Sequence, residues 1–129
     1  MTRTPTRERG MAAVEIALLL PILAVLVYCV VEGGNLLSAY TDVRECSRQA
    51  ARMIASEHAP QDATALARAL APDLDPEHLT ATVIRDTSTD KVTVEVNYVY
   101  HTHFKALPSF VSSAASAYTL VARTSMPAL

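Results

Sequence analysis

Glu15 is the residue whose chemistry most needs a reason. It stands in the run Gly10-Met11-Ala12-Ala13-Val14-Glu15-Ile16-Ala17-Leu18-Leu19-Leu20-Pro21, with apolar residues on both sides. A carboxylate inside a membrane helix costs roughly 2.5–3.5 kcal/mol on insertion scales, so an acid kept there is normally functional and paired. A second candidate is the basic stripe Arg44, Arg48 and Arg52, spaced i, i+4, i+8 on one side of a helix. It suits acidic groups of a neighbouring subunit or lipid phosphates, and equally a solvated face braced by Asp42 and Glu45. A third is His101 with His103, two apart on one strand face. A metal site needs a third and usually a fourth ligand. His58, His78 and Glu95 are available, but nothing in their spacing gathers them, so no metal is expected. No serine or cysteine nucleophile sits in a recognisable setting, and no glycine-rich phosphate loop is present. The sequence therefore reads as non-enzymatic, with no cofactor.

The elements that must position these residues begin with about 20 apolar residues, Ala12 to Val31. At 1.5 Å per residue they span about 30 Å, enough to cross a bilayer core. Arg3, Arg7 and Arg9 precede them against Glu8 alone. The positive-inside rule then puts residues 1–10 in the cytoplasm and the C-terminal part outside. A secretory signal peptide fits poorly. Glu15 interrupts its core, and Val30-Val31-Glu32-Gly33-Gly34 makes a poor cleavage site. Residues 1–10 read as an irregular leader, residues 11–34 as a transmembrane helix holding Pro21, and residues 35–129 as one small exterior domain. Glu32 is expected to be solvated at the outer boundary. Gly33-Gly34 suits either a hinge or close packing against another helix.

Helical spacing resumes from Asn35 to about His58. Leu36, Leu37, Tyr40, Val43, Ser47, Ala50, Ala51 and Ile54 form the expected apolar face. One long helix through both Cys29 and Cys46 would hold them about 25 Å apart, too far for a disulfide. Cys29 then reads as a packing residue, and Cys46 either as an idle buried thiol or as a cross-link between chains in an oxidising exterior. A short second helix is expected from Gln61 to about Ala71. Ala63, Leu66, Ala67 and Leu70 face inward, Asp62 suits its first turn, and Pro72 and Pro76 close it. Leu79–Asp86 reads as a strand and Thr87-Ser88-Thr89 as a turn. Lys91–Phe104 alternates, with Val92, Val94, Val96, Tyr98, Tyr100 and Phe104 on one side. A link from Ala106 to Ala117, beginning at Leu107-Pro108, leads to a third strand, Tyr118–Ser125. The fold class is α+β: a long N-terminal helix, a short second helix and a three-stranded antiparallel sheet packed on the long helix. Beyond residue 10 the chain carries 8 basic and 12 acidic residues, which disfavours nucleic acid as a partner.

The short basic leader ending in Gly10, with an acid five residues later, resembles the start of type IV prepilins and pseudopilins. The run from Arg9 to Ser56 narrows this. Arg-Gly-Met-Ala-Ala-Val-Glu-Ile-Ala-Leu-Leu-Leu-Pro, then Val31-Glu32-Gly33-Gly34, Tyr40 and Ser47-Arg48-Gln49-Ala50-Ala51-Arg52, is similar to TadE-like pseudopilins of the tight-adherence pilus system. The resemblance implies a pilin-like fold and a minor role in assembling an adhesive pilus. It implies cleavage by a prepilin peptidase between Gly10 and Met11, and partners among other minor pilins and assembly components, in homo- or hetero-oligomers. Major tight-adherence pilins are very short and typically carry tyrosine after the acid. Here Ile16 follows Glu15 and a full domain is present, which favours the minor or pseudopilin role. After cleavage Glu15 would face the new ammonium of Met11, on its own chain or a neighbour's; a buried acid and base tolerate each other far better than either is tolerated alone. The competing reading is an unprocessed single-pass anchor carrying an adaptor or sensor domain; Glu15 is then an interfacial acid near the cytoplasmic boundary, tolerated by snorkelling or local thinning.

Overall fold

Helix α1 runs unbroken from Thr6 to Glu57, with Pro21 inside it. The computed structural model describes residues 6–57, 62–102 and 117–128, the side chains of 6–9 and 57 excepted. Expectations for His58, His103, Phe104 and most of the 106–117 link fall outside these residues. The chain divides into two compact units, Met1–Gly34 and Asn35–Leu129.

In the first unit, residues 6–10 are helical where an irregular leader is expected. Arg and Glu are good helix formers, so the apolar helix propagates backwards through them at little cost. The helix also runs through Gly33-Gly34 without a positive φ. A Cβ added at either glycine meets nothing within 4 Å, so no neighbour among the described residues requires their smallness. The most apolar 18-residue window of α1 has a mean hydropathy of 2.7 and none of it is buried. This helix is long and apolar enough to cross a membrane. Helices apolar all round are covered by lipid or by other helices.

In the second unit, α1 turns amphipathic. Ala39, Val43, Cys46, Ser47, Ala50, Ala51, Ile54 and Ala55 are buried. Most of them are small. Leu36 packs against the core, but Leu37 is 65% exposed and Tyr40 40% exposed, against expectation.

Helix α2 covers Ala63–Leu70. Asp62 is its N-cap, accepting from the amides of Thr64 and Ala65 at 3.1 and 3.4 Å. This satisfies donors the first turn leaves free. Ala67 is fully buried, and Ala63, Leu66 and Leu70 pack on the core. A 3-10 turn at Pro76–His78, with Asp75 as its cap, leads into the sheet.

The sheet is antiparallel in the order β1 (Leu79–Asp86), β2 (Lys91–His101), β3 (Ala117–Pro127). Its register runs Leu79 opposite Tyr98, Val83 opposite Val94, and Val96 opposite Ala122. Val92, Val94, Val96, Tyr98 and Tyr100 are all buried, as the alternation predicts. Each fully buried valine contributes on the order of 1.5–3 kcal/mol by burial. Asp86 closes the β1–β2 turn, accepting from the Ser88 amide (2.9 Å), the Ser88 hydroxyl (2.5 Å) and the Thr89 hydroxyl (2.8 Å). Asp90 takes the left-handed conformation, φ 50°, that this reversal needs. The helix is fastened to the sheet by a polar contact as well. Ser47, fully buried, donates from Oγ to the Val94 carbonyl at 3.2 Å and reaches Thr124 Oγ1 at 2.9 Å.

Candidate functional site

Three surfaces gather the residues that the sequence marks. The first is the N-terminal face of α1. Met11 and Glu15 are four residues apart, hence on one face of the helix. Met11 is 74% exposed, and Glu15 is exposed as well. A Cβ at Gly10 would meet nothing within 4 Å among the described residues. Among the described residues nineteen large hydrophobic side chains are exposed, and thirteen of these lie between Met11 and Val31, which makes the surroundings of Glu15 apolar. Glu32, expected to be solvated, is half-buried.

The second surface is a groove of about 470 Å³ between α1 and the edge of the sheet. Tyr40, Arg44 and Arg48 form one wall and β3 residues 121–125 the other. Arg44 and Arg48 are thus brought together, whereas Arg52 lies outside the groove. Neither Asp42 nor Glu45 braces the stripe. Glu45 instead accepts from Gln49 Nε2 at 2.9 Å. Among the described residues, no ion pair engages Arg44, Arg48 or Arg52. Arg123, at the β3 wall, pairs with Glu95 across the strands. Its Nε lies 2.9 Å from Glu95 Oε2, and this holds the Glu95 carboxyl below its ordinary range.

The third surface is a cleft of about 630 Å³ on the other flank of α1. Asp73, Asp75, His78 and His101 line it, with Ser38 and Asp42 from the helix. The His78 and His101 rings are 4.6 Å apart, tilted at 60°. His78 Nδ1 lies 3.1 Å from Asp75 Oδ2. The backbone amide of Glu77, with His78 beside it, holds the Asp75 carboxyl below its ordinary value. Sequence reasoning does not bring His78 and His101 together, yet the signal is present. A turn at 87–90 fixes the hairpin register, and Leu79 opposite Tyr98 carries the neighbouring His78 to the end of β2. Among the described residues no group of three metal-binding side chains assembles, and His58 and His103 lie outside them.

Of the two thiols, Cys29 is exposed on the apolar half of α1. Cys46 is buried, its Sγ 3.4 Å from the Ala67 carbonyl, so it serves the α1–α2 contact and is unavailable for cross-linking.

Comparison with known proteins gives a family match over part of the chain. Residues 10–52 match the family model described as TadE-like protein. The resemblance read from residues 9–56 is borne out over that stretch, which includes Gly10, Met11, Glu15 and all three arginines of the stripe. No curated protein and no solved structure matches the chain.

Proposed function

We propose that this chain, TadE-like over residues 10–52, is a minor pilin or pseudopilin that takes part in assembling a tight-adherence type IV pilus. The observation that carries the reading is the coincidence of the family match with a helix whose apolar window is wholly unburied. That surface needs lipid or neighbouring helices to cover it, which are the surroundings of a pilin-type subunit before and after assembly. On this reading residues 1–10 are a cytoplasmic leader and the C-terminal domain is extracytoplasmic. A prepilin peptidase cuts between Gly10 and Met11. The freed Met11 ammonium pairs with Glu15, and pairing between chains sets the axial register of the helices. The C-terminal domain then offers its grooves to other minor pilins and assembly components.

The N-terminus of the membrane-extracted protein tests this. A mature species beginning at Met11 is expected in cells with a working prepilin peptidase. Retention of Met1–Gly10 in those cells overturns the processing step and favours an unprocessed anchor. Glu15→Ala is expected to insert normally and to lose most of its co-purification with pilus components. Undiminished co-purification refutes the role given to the acid.

A further inference from the structure

We infer that the groove walled by Arg44, Arg48 and β3 receives the acidic loop at residues 73–77 of a second copy of this chain. The inference deepens the assembly role proposed above and rests on it: it names one of the subunit contacts and its geometry.

Four observations lead there. Arg44 and Arg48 converge on one groove, and no ion pair engages either of them among the described residues. Two adjacent guanidinium groups without counter-charges form a surface that favours an acidic partner. The second observation concerns the edges of the sheet. Along β1, Thr64 of α2 donates from Oγ1 to the Ala81 carbonyl (3.1 Å) and accepts the Ala81 amide (3.3 Å), so that edge is occupied. Along β3, no described element pairs on the outer side. An open edge is a template for another chain.

The third observation is the chemistry of the chain's own surface. Asp73, Asp75 and Glu77 place three acids in five residues with no base among them. All three are exposed, and no ion pair engages Asp73 or Glu77 among the described residues. The domain therefore displays both halves of a complementary pair. The fourth is their placement. The acidic loop leads directly into β1, whereas the groove borders β3, and β2 separates the two. One copy cannot join its own two patches. Two copies can meet reciprocally, each loop in the other's groove, which closes at a dimer, or head to tail, which leaves one patch of each copy unused and propagates; the inferred contact is head to tail.

The experiment uses the full-length chain in membranes of cells lacking all other pilus proteins. In a Cys29→Ala background, Pro72→Cys beside the loop and Ser125→Cys in the groove wall are oxidised to capture the contact. A ladder extending past the dimer is expected. Arg44→Glu with Arg48→Glu is expected to reduce it roughly tenfold or more, and so is Asp73→Arg with Glu77→Arg. A chain carrying all four reversals, or the two reversed chains co-expressed, should recover it. Products that stop at the dimer overturn the inference, as do equal yields from every chain. Failure of the four-fold reversal to recover the ladder also overturns it, because the arginines then serve a different ligand, such as lipid phosphate. Adding the peptidase to the same cells and weighing the N-terminus reads the processing step separately. A Met11 start without a ladder sinks this contact and leaves the assembly role standing.

Discussion

Ser47→Ala should separate the polar fastening of helix to sheet from the apolar packing around it. Ser47 is fully buried, and its hydroxyl reaches two groups on different strands, the Val94 carbonyl at 3.2 Å and Thr124 Oγ1 at 2.9 Å. Removing it deletes one net hydrogen bond, about 1 kcal/mol, and leaves a half-buried hydroxyl on Thr124 short of a partner. The expected loss is about 1–2 kcal/mol. For a domain of this size each kcal/mol is worth roughly 4–8 °C in Tm. The Tm of the micelle-bound chain, followed by tyrosine emission from Tyr98 and Tyr100 in the core, should therefore drop by about 4–16 °C. The decisive step is the cycle with Thr124→Val. Removing both hydroxyls replaces a polar pair by an apolar one, which is close to neutral when shapes match. The double variant should be less destabilised than the sum of the two singles by about 0.5–1 kcal/mol. Strict additivity, or a Ser47→Ala Tm within 1–2 °C of the parent, would refute the idea that this contact orders α1 on the sheet.

Two further predictions concern the same domain. Asp86 has its carboxyl lowered to about 2, chiefly by the Ser88 hydroxyl, then by Thr89 and the Ser88 amide. A lowered folded value means the unfolded chain binds the proton first, so this stabilisation is complete above about pH 4 and is lost as the pH falls towards 2. Glu95, lowered by Arg123, acts in the same direction. Asp86→Asn should flatten the acid limb of the Tm-against-pH profile between about pH 4 and 2, and an unchanged slope would contradict the turn geometry. For the thiols, a Cys29→Ala chain should label with a maleimide at Cys46 roughly 100-fold or more slower when folded than in denaturant. Rapid labelling under native conditions would show that the α1–α2 seam is open.

Much of this fold is legible in the residues, and the misses have physical causes. Leu79–Asp86 has the expected limits because a proline-containing turn precedes it and an Asp-Thr-Ser-Thr-Asp turn follows. The inward set of β2 follows from alternation alone, since one face is covered by a helix and the other is not. The third strand runs to Ala117 and Pro127, beyond the expected limits, because its pairing with β2 continues past the point where its own β-propensity fades. Local propensity cannot see that partner. The apolar face of α1 was the weaker reading. Counting every apolar residue at helical spacing admits Leu37 and Tyr40, while the true seam is made of alanines, Val43, Cys46 and Ser47. Small residues carry little hydrophobic signal, yet they set how near a helix comes to a sheet. The candidate surfaces were legible in the same uneven way. The arginine stripe is visible from spacing, but its division, with Arg44 and Arg48 in the groove and Arg52 outside, depends on where β3 lies.

The contrast between the two halves of α1 bears on how assembly would be driven. The second half buries one face against its own sheet and is complete within one chain. The first half buries none of its apolar window. Lipid covers leucine and isoleucine side chains as well as another helix does, so hydrophobicity alone gives no reason to leave the bilayer for a bundle. Glu15 supplies one on the proposed reading. Unpaired in lipid, this acid costs roughly 2.5–3.5 kcal/mol. Beside a neighbouring Met11 ammonium much of that cost is relieved, because each charge neutralises the other. Glu15→Gln keeps shape and removes charge, so it should insert more readily and assemble less well than the parent. Glu15→Asp, one methylene shorter, should retain part of the assembly. Cross-linking yield between helices, compared across the three chains at equal membrane abundance, ranks them. If the Gln variant assembles as well as the parent, the energy difference between lipid and bundle does not reside in this carboxylate.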